Sequence, residues 1–372
     1  MIELKQAKTP AEMKQFVLFP FELYKDNNYW IPPIIQEELD TFNPAINPAF
    51  KTAQADFFLA YKNNKIVGRI AVIINWDEVN NQQKKKVRFG WFEVINDIEV
   101  TKILLEKAIE IGKKNNLELI EGPIGFSNLD KVGALTEGFD QMGNMITWYS
   151  PKYYIEHFET LGFTQEKEYL ESVFPFENVK IEAFAKAADL ISKRYQLRLL
   201  NFKNTKQLMP YVDEMFDLFN KSYEKLASFV AINDVQKAYF KKKYISFINP
   251  EYILFVMDKN NKMIAFSIVM PSFSEALQKA KGKLFPFGWY HLLKARKNSK
   301  DVVFYLIGID PEYQNKGVTA IIFREYHRVF TKKGIKNCIR TPELAENNAI
   351  HNLWKNFNPV INKRRKTFSK EI

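Results

Sequence analysis

Two stretches of this chain are written to one pattern at an offset of 197 residues. "FFLAYKNNKIVGRIAVI" (57–73) and "YILFVMDKNNKMIAFSIVM" (252–270) each alternate apolar and polar residues on both sides of an Asn-Asn pair, beginning at Asn63 and Asn260. That alternation around a turn is the mark of a β-hairpin. Upstream, "IELKQAKTPAEM" (2–13) and "LRLLNFKNTKQL" (197–208) each read as a strand entering a helix, at nearly the same offset. Downstream, "HFETLGF" (157–163) is loosely matched by "NLWKNFN" (352–358). Three matches in one order and at one spacing predict a tandem duplication, and a self-similar chain constrains its fold more than any composition does.

Each copy reads as strand, one or two helices, hairpin, long strand, helix, strand, helix and final strand. The long strands are "RFGWFEVI" (88–95) and "VVFYLIGI" (302–309), and helices follow them near 99–116 and 318–334. Both helices carry apolar residues at i, i+3, i+4 and i+7, a core-facing stripe, and Gly334 suits a helix stop. The expected class is therefore α/β. The expected division is 1–175, a connecting helix in 176–196 and 197–372, with the join at "IEAFAKAADLISKRY". A length of 372 residues suits two ordinary domains.

Other features narrow the function. The only cysteine is Cys338, which rules out an internal disulfide framework and fits a reducing compartment. The first residues lack the apolar core of a secretory signal, and no apolar run reaches the ~20 residues that cross a bilayer. A soluble cytoplasmic protein is the expectation. A net charge of +11 favours anionic partners in general, but it forms no Arg-rich arm, so nucleic acid is not expected. His157, His291, His327 and His351 do not pair at helical spacing, and no metal site is expected. Neither a G-x-S-x-G elbow nor a Walker or G-x-G-x-x-G loop occurs.

The order of elements, with "QNKGVT" between the second long strand and its helix, resembles the GNAT superfamily of acyl-CoA-dependent N-acyltransferases. Gln314, Gly317 and Thr319 take the places of that family's cofactor motif, with Thr319 where a very small residue is usual. Asn347 and Trp354 repeat its Asn-to-Tyr spacing, with Trp in place of Tyr. The first copy keeps the other half of the signature, Leu161-Gly162-Phe163, with Tyr153 or Tyr154 at the aromatic position, while its "VINDIEVTKILL" has no glycine loop. The whole chain also resembles a bacterial group of tandem GNAT proteins carrying "YWIPP" and "GPIGFSNLDKVG", some of them associated with N-acylation of sphingoid bases.

The resemblance implies two tandem GNAT-like domains, each a mixed twisted sheet flanked by helices. It implies acyl-CoA, acetyl or longer, as co-substrate of the second domain and transfer to a primary amine, with a sphingoid-type lipid amine as the leading acceptor. A non-catalytic module of the same fold, or transfer from an aminoacyl-tRNA, are the alternatives. The cofactor residues are then Gln314, Asn315, Lys316, Gly317, Val318, Thr319 and Asn347, with Trp354 and the backbone of Ile307 and Ile309. The physics of the loop agrees, because the N–H groups that open a helix have no internal partner and attract a phosphate.

Acyl transfer also needs a base for the amine and a donor for the leaving thiolate. Tyr305, Tyr326 or a water is expected as the donor. Gly122, Gly125, Gly133, Gly138 and Gly143 crowd one stretch of the first copy (121–150), which also holds Asn128, Asp130, Glu137, Asp140 and Tyr149, with Tyr154 just beyond. A long loop of this kind is expected to shape the acceptor pocket, with Asp130, Glu137 and Tyr154 as candidates for proton transfer. "KAKGKLFPFGWYHLLKARKNSK" (279–300) frames aromatics with seven Lys and Arg residues. It suits contact with an anionic membrane, a lid over an acyl chain, or packing on its own domain.

Overall fold

The computed structural model describes residues 1–127, 129–224, 229–245 and 248–372, apart from the side chains of residues 183 and 244. The first half runs β1 (Ile2–Gln6), α1 (Pro10–Leu23), α2 (Ile35–Thr41), β2 (Ala53–Lys62), β3 (Lys65–Asn75), α3 (Trp76–Asn80) and β4 (Lys86–Val94). It continues with α4 (Ile98–Lys114), β5 (Leu119–Gly122), β6 (Ala134–Glu137), α5 (Tyr153–Thr160) and β7 (Thr164–Pro175). Helix α6 (Ile181–Tyr195) links the halves. The second half runs β8 (Arg198–Leu200), α7 (Thr205–Leu208), α8 (Val212–Tyr223), α9 (Asp234–Phe240), β9 (Ile253–Met257) and β10 (Met263–Pro271). It ends with α10 (Ser274–Ala280), α11 (Gly288–Asn298), β11 (Asp301–Ile309), α12 (Thr319–Lys333), β12 (Asn337–Leu344), α13 (Asn348–Trp354) and β13 (Val360–Glu371).

Local chemistry sets these boundaries. Thr9 and Glu12 close a capping box before α1, and Pro10 takes the first turn, where its missing N–H costs nothing. Asn63 and Asn64 both hold positive φ, 52° and 60°, which gives the tight two-residue hairpin whose twist matches its strands. The second hairpin has a longer turn, in which the Asp258 carboxylate accepts from the N–H groups of Asn260 and Lys262. Helix α4 buries Val100, Leu104, Leu105 and Ala108 against the first half of the sheet, and α12 buries Ile322, Tyr326 and Phe330 against the second.

The described strands form one mixed sheet in the order β1-β2-β3-β4-β5-β13-β7-β12-β11-β10-β9-β8, with β6 also on β13. The last strand of each half thus completes the other half. Strand β13 pairs with β5, and β7 pairs with β12. The two exchanged strands pair antiparallel with each other, from Val360 opposite Val173 to Ser369 opposite Thr164. A buried ion cluster locks this seam. Glu171 accepts from Arg365 at 2.5 Å and from Lys363 at 3.1 Å. Burial works against its charge, yet the two cations hold its carboxyl below the usual range.

Each half also has one place where parallel strands part. Strand β4 pairs with β5 only over Lys86–Arg88, and β11 pairs with β12 only over Asp301–Phe304. Beyond those points a wedge opens in the sheet, and the two wedges are filled differently.

Candidate functional site

In the first half the wedge is sealed. Strand β4 is buried along its whole length. Tyr153 donates to the Val94 carbonyl at 2.6 Å, and the Val94 N–H donates to the Tyr154 hydroxyl at 2.9 Å. Two tyrosines from α5 thereby take the backbone groups that a ligand would need. Tyr154 is fully buried beside Phe92 and Tyr24, and burial pushes its phenol far up. Replacing Tyr154 with phenylalanine should cost about 1–2 kcal/mol by orphaning a buried N–H, with no change in any catalytic rate, as denaturation beside turnover will show.

The second half is open at the same place. From Tyr305 to Ile307, and again at Ile309, β11 is only half-buried, and so is β12 from Pro342 to Leu344. The Ile307 carbonyl accepts from the Tyr223 hydroxyl at 3.0 Å, and the Ile309 carbonyl from the Gln314 side chain at 3.3 Å. Both carbonyls therefore point away from β10. In a strand the N–H of a residue lies on the same edge as its carbonyl, so the Ile307 and Ile309 amides face the wedge as well. A register shift at Ile268/Val269 makes Tyr305 the extra residue of a bulge, a device that re-aims a side chain.

The predicted cofactor loop lies at the far end of this wedge. Gln314, Asn315, Lys316 and Gly317 are exposed, and α12 starts at Thr319 behind Val318, with no side chain capping it. Lys316 lies 5.2 Å from the Tyr313 ring and 5.5 Å from that of Tyr195. Gly317 holds a φ of 76°, and a Cβ there would lie 2.6 Å from Ile191 of α6. The glycine is thus required by backbone conformation and by α6. Asn347 caps α13 through the Ile350 N–H. Trp354 is buried in the core, 4.9 Å from Phe304 and 5.4 Å from Phe323, and its indole N–H donates to Glu343 at 3.0 Å.

Sequence reading missed Glu343. It lines the β12 side of the wedge, paired with Arg340 and near His351. Burial raises its carboxyl despite Arg340, and its charge in turn acts on Tyr223. The turn from β12 back into α13 brings Arg340, Glu343, His351 and Trp354 together, in a pattern that matches no familiar motif.

The glycine-rich loop of the first half reaches this wedge. The Tyr305 hydroxyl donates to the Leu129 carbonyl at 3.5 Å. Burial first, then the Asp130 charge, pushes the Tyr305 phenol well up. Asp130 accepts from the N–H and hydroxyl of Ser127, and its packing raises its carboxyl above the usual range. A narrow cleft of about 20 Å³ lies beside it, lined from both halves by Thr41, Ser127, Asp130, Tyr239 and Lys243. That volume holds about one water molecule beside the carboxylate. Lys243 donates to Thr41 and Tyr239 there.

The other candidates lie elsewhere. Glu137 is exposed and paired with Arg364, Tyr154 seals the first wedge, and Tyr326 is buried with its hydroxyl on the Tyr252 carbonyl. Asn128 is outside the described residues.

No family model matches the sequence. The chain is similar to Protein YghO of Escherichia coli (strain K12), 25% identical over 368 residues that cover 97% of this chain and 93% of that protein. It is also similar to the Bacterial ceramide synthase of Caulobacter vibrioides, 26% identical over 317 residues covering 82% and 80%. Among solved structures, a tandem GNAT protein from the clavulanic acid biosynthesis pathway superposes with a TM-score of 0.60 at 10% identity, covering 100% of this chain and 98% of that one. A GCN5-related N-acetyltransferase from Sphaerobacter thermophilus superposes at 0.52 and 8% identity, covering 100% and 95%. The chain has the fold of the GNAT superfamily in its tandem form.

Proposed function

We propose that this protein is an N-acyltransferase that takes an acyl group from acyl-CoA and passes it to a primary amine, with a long-chain lipid amine as acceptor. The observation that carries the reading is the contrast between the wedges. The first is closed by Tyr153 and Tyr154, while the second keeps half-buried Ile307 and Ile309, their amides directed at the wedge, beside an uncapped helix start. The carbonyl of a pantetheine arm can accept from such strand-edge amides, and a pyrophosphate suits the amides that open α12 with Lys316 beside them. The lipid acceptor is supported by the name of the Caulobacter vibrioides relative, which belongs to that protein.

In this reading Asp130 takes the proton of the bound ammonium, a role for which a raised carboxyl pKa is suited. The freed amine attacks the thioester carbonyl, forming the C–N bond as the C–S bond breaks. The amides of Ile307 and Ile309 stabilise the charge that develops on the carbonyl oxygen. Tyr305, kept protonated by its surroundings, gives its proton to the thiolate and takes back the second proton that the acylated nitrogen releases, so the phenol is restored.

A non-catalytic module of the same fold is the second reading, favoured by Trp354 in the core and by Ile191 against Gly317. Calorimetry with acetyl-CoA and palmitoyl-CoA separates the two, with the Thr319→Glu variant alongside. A carboxylate in the first turn suits the helix dipole and repels phosphate, so the variant should stay folded and bind at least about tenfold more weakly. If the wild-type protein binds neither CoA ester, the enzyme reading fails.

A further inference from the structure

The segment 279–300 has a role that acyl transfer does not absorb. Helix α11 buries an inner stripe, Gly288 and Leu292 with half-buried Ala295, against the group formed by Ile31, Ile34, Phe273 and Leu277. Its opposite side is also apolar. Trp289, Tyr290 and Leu293 are 46%, 50% and 49% exposed, and Phe285 and Phe287 in the preceding loop reach 77% and 69%. These side chains form neither a lid over the wedge nor a core of their own. The Trp289 indole is held outward by donating to the Pro286 carbonyl at 2.8 Å.

The surface beneath is firm. Gln278 donates to the carbonyls of Asn28 and Trp30, and the Ile35 N–H donates to the Gly282 carbonyl. Both halves thus brace α10 and α11, and exposed Tyr29 adjoins them. The charge is equally one-sided. The segment contains seven Lys and Arg and no Asp or Glu, against a net charge of +11 for the whole chain. Lys281, Lys283, Lys294 and Lys297 are exposed and form no ion pair among the described residues.

We infer that this face docks on an anionic lipid bilayer, with Phe285, Phe287 and Trp289 entering the headgroup boundary and the surrounding lysines meeting lipid phosphates. Monomeric proteins seldom leave so many large apolar side chains together in water. Aromatics carry the favourable transfer into the interface, and unpaired lysines add attraction to negative lipid that salt weakens. A protein partner would need acidic groups to meet these lysines, and a second copy of this face would bring like charges together.

Vesicle flotation tests this directly with the full chain. Vesicles of phosphatidylcholine alone are compared with vesicles that also contain phosphatidylglycerol, at low and raised salt. The expected result is binding to the anionic vesicles only, weakened by salt. It should fall about tenfold in Phe285→Ser/Phe287→Ser/Trp289→Ser and in Lys281→Glu/Lys283→Glu/Lys294→Glu/Lys297→Glu. Among the described residues Trp289 is the only exposed tryptophan, so a blue shift of emission on binding, absent from the aromatic variant, reports its entry. Both variants change exposed side chains, and an unchanged unfolding midpoint verifies their fold. Equal floating with both vesicle types, no floating, or variants that bind like wild type would each overturn the inference. So would aromatic-dependent dimers that ignore vesicles.

Discussion

Replacing Glu171 with alanine is expected to cost about 3–5 kcal/mol, the largest effect of any single substitution considered for the seam. Glu171 is fully buried between the exchanged strands, where its one negative charge pairs with both Arg365 and Lys363. Arg365 also donates to the carbonyls of Trp148 and Gly133, so it cannot swing out to water without breaking those bonds. Without the carboxylate, two cations remain uncompensated in the interior. Domain stabilities are roughly 5–15 kcal/mol, so the variant should unfold at a much lower denaturant concentration. Glu171→Leu with Arg365→Met and Lys363→Leu should recover much of the loss, because an apolar seam needs no partner charge. The pH dependence has a definite sign. The folded pKa of Glu171 is depressed, so its contribution is present above the unfolded carboxyl pKa and lost as pH falls through the folded one. The difference between wild type and Glu171→Gln should therefore shrink on acidification below about pH 4. A difference that stays constant from neutral to acid pH would show that Glu171 is not ionised in the fold.

Asp130→Asn is expected to lower turnover about a hundredfold or more while leaving the protein at least as stable as wild type. The carboxyl is raised by burial, so its folded pKa lies above its unfolded one. The contribution of its neutral form is complete below the unfolded pKa and lost as pH rises through the folded one. At neutral pH the ionised group thus costs stability, and an uncharged amide that keeps the bond from Ser127 removes that cost. Loss of activity with retained or increased stability would identify a group held for chemistry. The wild-type rate should also fall on the acid side at a pH above the ordinary carboxylate range, and a flat profile there would remove Asp130 from the base role. Tyr305→Phe should lose less, because a water in the open wedge can return the proton.

Much of this could be read from the sequence because duplication makes local patterns count twice. The hairpins, the long strands and the amphipathic helices are short-range features, set by alternation, by Asn turns and by stripes of four or five apolar residues. Tyr305, Ile307, Ile309 and Gln314 are likewise legible, since they follow from one strand and the loop after it. Asp130 was visible only as one carboxylate among several in a glycine-rich loop, and tertiary contact alone separates it from Glu137. Glu343 and Lys243 carry no local sign at all. The sealing of the first wedge rests on whether two tyrosines reach a backbone group some sixty residues away, about the separation of Val94 from Tyr153 and Tyr154, and no periodicity encodes that. The exchange of β7 and β13 is equally silent, because a final strand reads the same whichever half it joins.

That exchange bears on how the chain is made. The first half is synthesised with a gap beside β5 that β13 fills, and β13 lies well over two hundred residues further along the chain. Strand β7 leaves early but must wait for β12, more than one hundred and sixty residues later. Neither half can finish on its own, so the growing polypeptide should hold unpaired strand edges until β12 reaches β7 and β13 then reaches β5. Such edges invite pairing with other nascent chains. A growing chain of this design would rely on chaperones until β13 is in place, while the folded protein, once the seam closes, would resist being opened from either half.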